Sequence, residues 1–149
     1  MLTQATAAET RREFVTWLSA LSLTGLARPL TADRAVEDEA EDAARAWLGV
    51  VDQGRYAQSW GDAAPAFKKA IPRDQWLQAL GSARAPLGSC LERRRTTRRL
   101  VDGVPGAPKG PYVVIQFTTE FRKRASAVET ITPVRGADGR WRVSGYFIK

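Results

Sequence analysis

Around Pro86 and Gly88 the spacing of apolar side chains changes from helical to alternating, and that switch bounds the folds open to this chain. Ahead of it, Ala40, Ala43, Ala44, Trp47, Leu48 and Val51 recur at helical spacing until Gly54 ends the run. A short second helix is expected to carry Tyr56 and Trp60. Residues 64–71 read as a third, and Pro72 can open a fourth that carries Trp76, Leu77 and Leu80. Beyond the switch, residues 90–101 form an arginine-rich strand and "DGVPGAPKGP" (102–111) a turn-rich loop. "YVVIQFTTEF" (112–121) then alternates, with Val113, Ile115, Phe117 and Phe121 on one face and Tyr112, Gln116 and Glu120 on the other. "AVETITPV" follows the "RKRA" turn as a third strand. "GADG" turns into the last, where Trp141, Val143 and Phe147 are expected to share a face. Helices followed by a meander mean an α+β fold, with N-terminal helices laid on one face of a curved antiparallel sheet of about four strands.

The segment before these helices has a different character. Arg11 and Arg12 precede Phe14 and a charge-free run of 14 residues, 14–27, after which come Arg28, Pro29 and the small residues Thr31 and Ala32. A basic start, a short apolar run, a helix breaker and small residues make up a secretory signal. Bilayers need roughly 20 apolar residues, so no permanent membrane span is expected. "TRREFV" (10–15) further resembles a twin-arginine export motif, a receptor-read address rather than an anchor. Thr10 with Glu13 is also a capping box, and Phe14, Leu18 and Leu21 fall on one helical stripe, so an ordinary first helix is the competing reading. The chain accordingly divides into an export signal, 1–32, and a single α+β domain, 33–149. Cleavage is placed near Ala32, with Ala27 the alternative. The expected location is exported, periplasmic or secreted.

Composition narrows the chemistry. Cys90 is the single cysteine and histidine is absent, which removes internal disulfides, multi-cysteine metal sites, histidine general bases and Ser-His-Asp or Cys-His pairs. Without a histidine to activate it, Cys90 reads as a small buried hydrophobe. The net charge is +7, and because residues 1–32 hold three arginines and two glutamates, the remainder carries +6. Asp33, Glu37, Asp38, Glu39, Glu41 and Asp42 stand against Arg34 alone, so the body after them is more basic still. Acidic residues at a helix start suit the macrodipole, while a basic body suits anionic partners.

"AARAWLGVVDQGRYAQSW" (43–60), "RAPLG" (84–88), "PGAPKGPYVVIQF" (105–117), "ETIT" (129–132) and "DGRWRVSGYFI" (138–148) resemble, in order, a bacterial family known as domain of unknown function 4019. The resemblance covers nearly all of residues 40–149. It implies an exported domain and supplies no catalytic residues to transfer. The order of elements is also similar to the cone-shaped nuclear-transport-factor-like superfold (the SnoaL-like and cystatin-like arrangement), which implies helices curled into a sheet around a pocket. Fold analogy does not carry function.

Trp47, Tyr56, Trp60, Trp76, Phe117, Trp141 and Tyr146 are expected to face the helix–sheet interior, either as core or as the lining of a small-ligand pocket. Tyr56, Trp60, Asp52, Gln116 and Glu129 are the candidate pocket residues. In the absence of histidine, only Asp52, Glu129 or a tyrosine could serve as a base. In "ERRRTTRR" (92–99), simple alternation points Arg93, Arg95 and Arg99 one way and Arg94 and Arg98 the other. A strand charged on both faces reads as an edge strand guarded against unwanted pairing, or as an anion-binding stripe with Arg94 and Arg98 as its candidates. The expected function is a non-enzymatic binding or accessory domain of the cell envelope, with no cofactor, no metal and no nucleic acid. Its expected partners are a small apolar ligand, an anionic envelope component or an acidic protein. A small carboxylate- or tyrosine-dependent hydrolase or isomerase working in the pocket is the alternative. No feature sets an oligomeric state. Replacing Arg11 and Arg12 together by lysine should hold the protein inside the cell, read by fractionation. Unchanged export and shortening would rule out the twin-arginine route.

Overall fold

The computed structural model describes residues 30–149, so the motif of Arg11, Arg12 and Phe14 lies outside the described residues. The chain runs α1 (Leu30–Asp52), α2 (Tyr56–Asp62), α3 (Pro65–Ala70), α4 (Arg73–Arg84), β1 (Cys90–Val101), β2 (Tyr112–Phe121), β3 (Arg124–Arg135) and β4 (Trp141–Ile148). The strands form one antiparallel sheet in the order β1-β2-β3-β4, which does not close on itself. This is the expected α+β architecture, and the change of period falls where helices give way to strands. No helix among the described residues is long and apolar enough to cross a membrane.

Ala40, Ala44, Trp47, Leu48 and Val51 of α1 are buried on one stripe. The helix stops at Gly54, whose φ of 73° suits a residue without Cβ, and the N–H groups of Gly54 and Arg55 close on the carbonyls of Val51 and Val50 at 2.9 and 3.1 Å. The described part of α1 runs from Leu30, so the boundary expected after residue 32 lies within this helix. α1 lies across the sheet, with α2 beside it, α4 packed against α2, and Val113, Ile115 and Phe117 of β2 beneath. The aromatic rings meet edge to face: Trp47 to Tyr146 at 5.5 Å and Phe67 to Trp76 at 4.9 Å between centroids.

Three bulges decide which side chains face the helices. In β1, Leu91 and Thr96 are extra residues opposite β2, since Cys90 and Glu92 pair with Phe121 and Glu120, and Arg95 and Thr97 with Phe117 and Gln116. After Thr96 the phase of the strand inverts. Arg93, Arg95 and Arg98 therefore all share the face of Thr119, Phe117 and Ile115, while Arg94 and Arg99 share the opposite one. The simple alternation, which paired Arg98 with Arg94, is corrected by that one residue. A third bulge makes Ser144 the extra residue of β4, since Val143 and Gly145 pair with the consecutive Pro133 and Thr132 of β3, and it inverts the phase of β4 in the same way. Trp141, Val143 and Tyr146 face the helices, and Phe147, opposite Thr130, faces away, contrary to the expected Trp141–Val143–Phe147 face.

Ser59, fully buried on α2, joins the indoles: the Trp76 Nε1–H donates to its Oγ at 3.0 Å and the Trp47 Nε1–H to its carbonyl at 2.8 Å. Every buried side-chain polar atom among the described residues has a partner. Changing Ser59 to alanine leaves the Trp76 donor without one, which should lower stability by about 1–3 kcal/mol in urea unfolding. A loss below a few tenths would show that water reaches the indole.

Candidate functional site: a cancelled charge cluster and an apolar trough

Four charged side chains converge between α1, α4 and the sheet. Arg84 ends the apolar stripe of α4, after Trp76 and Leu80, with its guanidinium 4.7 Å over the Phe121 ring. Its Nη2 donates to Asp52 Oδ1 at 2.5 Å, and its Nη1 to Glu129 Oε2 at 3.4 Å and to the Tyr146 hydroxyl at 3.3 Å. Arg93 reaches the same two acids, giving Nε to Glu129 Oε1 at 2.6 Å and Nη1 to Asp52 Oδ2 at 2.8 Å. Glu129 has no solvent exposure. It also accepts from the Thr119 hydroxyl at 2.5 Å and from the Tyr146 hydroxyl at 2.5 Å. Two anions and two cations cancel.

This geometry sets the protonation states. Burial pushes the Asp52 carboxyl upward, but the hydrogen bonds and charges of Arg93 and Arg84 outweigh it and hold the group below its ordinary value. For Arg93, burial works against the charged form, and the bonds to Asp52 and Glu129 more than reverse it. Burial, reinforced by the Glu129 carboxylate, pushes the Tyr146 phenol far up, so it stays a donor. Burial likewise raises the Cys90 thiol beside the cluster, against the pull of Arg93. Glu129 accepts from four donors of the fold, which occupy the lone pairs of both its oxygens and leave none facing a cleft. Among the described residues no three His, Cys, Asp or Glu side chains converge as a metal site.

The five candidate pocket residues are not gathered in one place. Asp52 and Glu129 meet in the charge cluster. Tyr56 and Trp60 are half-buried against the core, where Trp60 Nε1 donates to the Ile71 carbonyl at 2.8 Å. Gln116 lies on the opposite face of the sheet, its Nε2 3.4 Å from the Thr130 hydroxyl. The two arginine candidates also separate. Arg94 forks onto its neighbour Glu92 at 2.8 and 2.9 Å in solvent. Arg98 sits among Asp38, Glu41 and Glu37 of α1 at 2.6, 2.8 and 3.3 Å, so its charge is matched within the fold. Arg84 and Arg93, which the sequence reading did not select, complete the cluster. A signal for Arg84 was present: an arginine continuing the Trp76–Leu80 stripe needs a buried acid.

One concavity lies on the sheet face turned away from α1, α2 and α4. Residues 103–108 of the long loop fold back over that face, fixed where the Tyr112 hydroxyl donates to the Pro108 carbonyl at 2.6 Å. α3 stands at the β4 edge, where the Ala64 N–H donates to the Val143 carbonyl at 2.8 Å. Between these walls runs a trough of about 220 Å3 floored by Val114, Thr130, Thr132, Ser144, Gly145 and Phe147. Ala66, Ala70 and Ile71 form one side, and Val104, Pro105 and Pro108 the other. No carboxylate, lysine, arginine or cysteine lines it, but Tyr112 and Tyr146 do, their hydroxyls donating to the Pro108 carbonyl and to Glu129. A second, more open cleft beside α1 is lined by Trp47, Val50, Asp62 and Trp141. Neither cleft is lined by Asp52 or Glu129.

Fold and site together define a small α+β domain with its charges locked inside and an apolar recess outside. The sequence model of the family described as "Protein of unknown function (DUF4019)" matches residues 43–146, and the chain belongs to that family. No curated protein matches the sequence at a significant level. Among solved structures, one from Catenulispora acidiphila is similar in fold, with a TM-score of 0.50 at 16% identity, covering 79% of this chain and 93% of that one.

The acid limb of stability tests the cluster. A carboxyl whose folded pKa is lowered contributes stability above its unfolded pKa, and that contribution is lost as pH falls through the folded value. Unfolding midpoints should therefore drop between roughly pH 5 and pH 2. Asp52→Asn should be less stable at neutrality and show a shallower drop, with the remainder coming from groups such as Asp138, which Arg142 also holds low. Parallel pH profiles for the two proteins would mean that Asp52 is not held by the arginines in solution.

Proposed function

We propose that this is an exported, non-enzymatic binding module of the cell envelope that holds a small apolar group, an aromatic ring or a short alkyl chain, in the trough on the outer sheet face. The trough carries the proposal. A dry apolar cavity of about 150 Å3 accepts benzene, and this recess of about 220 Å3 offers mostly carbon and a few hydroxyls, while its two tyrosines, Tyr112 and Tyr146, already give their phenol protons to the Pro108 carbonyl and to Glu129. Thr130, Thr132 and Ser144 can orient one polar substituent. Against a hydrolase or isomerase stands the engagement of Asp52 and Glu129 by arginines, away from either cleft. Export is supported by the paired arginines and the charge-free run of residues 14–27. The element order supports kinship with the nuclear-transport-factor-like superfold, but the binding proposal rests on the trough alone.

Binding to the folded state raises the melting temperature by mass action. A panel of small aromatic and short-chain alkyl compounds should stabilise the wild type. Ala70→Trp, at an exposed position on the trough wall, should fill the recess and abolish the shift while leaving the unliganded fold intact. A panel that never moves the melting curve, or that moves the filled variant equally, removes the trough as the binding site.

A further inference from the structure

The turn between β2 and β3 carries Arg122 and Lys123, and β3 opens with Arg124; all three are exposed, and none has an ion pair among the described residues. This turn is firmly docked. The Arg122 N–H donates to the Ser89 carbonyl and the Lys123 N–H to the Leu87 carbonyl, both at 2.9 Å, and Arg122 Nε reaches the Ser89 hydroxyl at 3.3 Å. Gly88 makes the seat. Its φ is +73°, and a Cβ there would lie 3.3 Å from Arg122 Cβ and 3.4 Å from Lys123 Cγ. Under the seat Leu87, Phe121 and Ala127 form their own small core, with Cys90 and Ile148 packed against it. On the same end of the sheet the bulge at Leu91 leaves that side chain 54% exposed. Of the nearby acids, Glu92 is forked by Arg94, and Glu120 adds its charge to the same arginine.

We infer that this end of the sheet is a docking surface for an anionic lipid bilayer. Three exposed cations on a backbone-anchored turn meet phosphate headgroups, and Leu91 enters the boundary between headgroups and acyl chains. Charge complementarity selects the partner. The buried acids Asp52, Glu129 and Glu41 are matched by Arg84, Arg93 and Arg98, so the excess positive charge of the protein includes the exposed cluster here. Leu91 favours a membrane over a soluble polyanion, because an isolated leucine gains nothing from a hydrated polymer. The turn has no aromatic side chain on which nucleic-acid bases could stack. The inference is independent of the trough, which lies elsewhere on the molecule.

Co-sedimentation of the full chain with phosphatidylcholine vesicles, with and without phosphatidylglycerol, tests it. The wild type should partition onto the anionic vesicles alone and be released by about 0.5 M salt. The triple variant Arg122→Gln, Lys123→Gln, Arg124→Gln should lose about a hundredfold or more in partitioning. Leu91→Ser should lose about tenfold on vesicles and nothing on soluble polyphosphate. Both variants should melt with the wild type, as changes at exposed positions contribute little to stability. Equal partitioning of the triple variant would place the membrane contact elsewhere, residues 14–27 included, and overturn the inference. So would a wild type that ignores anionic vesicles, or a Leu91→Ser effect that is the same on vesicles and on polyphosphate.

Discussion

Asp52 and Glu129 set against Arg84 and Arg93 join the ends of α1 and α4 to β1 and β3, with Thr119 and Tyr146 bringing in β2 and β4. Apolar burial alone would let α4 slide along the sheet, since dispersion and hydrophobic burial are not directional. The cluster is directional. Removing one member leaves an uncompensated buried charge and costs about 3–5 kcal/mol, whereas replacing the whole set by apolar side chains is often neutral. Its contribution is therefore to specificity of packing more than to net stability. It fixes the end of α4, and so the segment 85–89 on which the basic turn is seated.

That internal matching also sorts the charge of the chain. Part of the acidic face of α1, Glu37 and Glu41, turns to the sheet rather than to solvent. Glu37, Asp38 and Glu41 draw in Arg98 and Arg95, and the Glu37 carboxylate accepts the Leu100 N–H at 3.0 Å, covering part of the β1 edge. An acidic helix start and an arginine-rich strand, separated by some sixty residues, are two halves of one interface. Edge protection and charge pairing are the same contact here.

Element order and the apolar faces of α1 and β2 were legible in the sequence because each depends on local periodicity, whereas β3 begins at Arg124, inside the "RKRA" segment expected to be a turn. What could not be read was the phase of β1 and β4. One extra residue at Thr96 moves Arg98 to the helix side and Arg99 away from it, and nothing in "RRRTTRR" marks where the extra residue falls. The bulge in β4 turns Phe147 outward in the same way. Pocket candidates chosen as polar residues near aromatics failed to converge for a related reason. Asp52 and Glu129 were found, but their partners lie 32 to 45 residues away in the chain, at Arg84, a distance over which spacing carries no information.

The two faces of the sheet then divide the work. Toward the helices, bulky side chains and matched charges fill the space, as the contacts of Trp47, Trp76 and Tyr146 require. Away from them, the outward-turned Phe147 and the small residues Ser144 and Gly145 leave a floor, while Ala66 and Ala70 keep one wall low. The ten-residue connection "DGVPGAPKGP" supplies the other wall. A two-residue hairpin turn would join β1 to β2 with less chain. The longer loop, pinned by the Tyr112 bond to Pro108, crosses the open face instead. The bulge that corrected the expected face of β4 is thus also what puts an aromatic ring at the bottom of the recess. A sheet with regular alternation would have buried Phe147 under the helices and left that floor without its largest apolar contact.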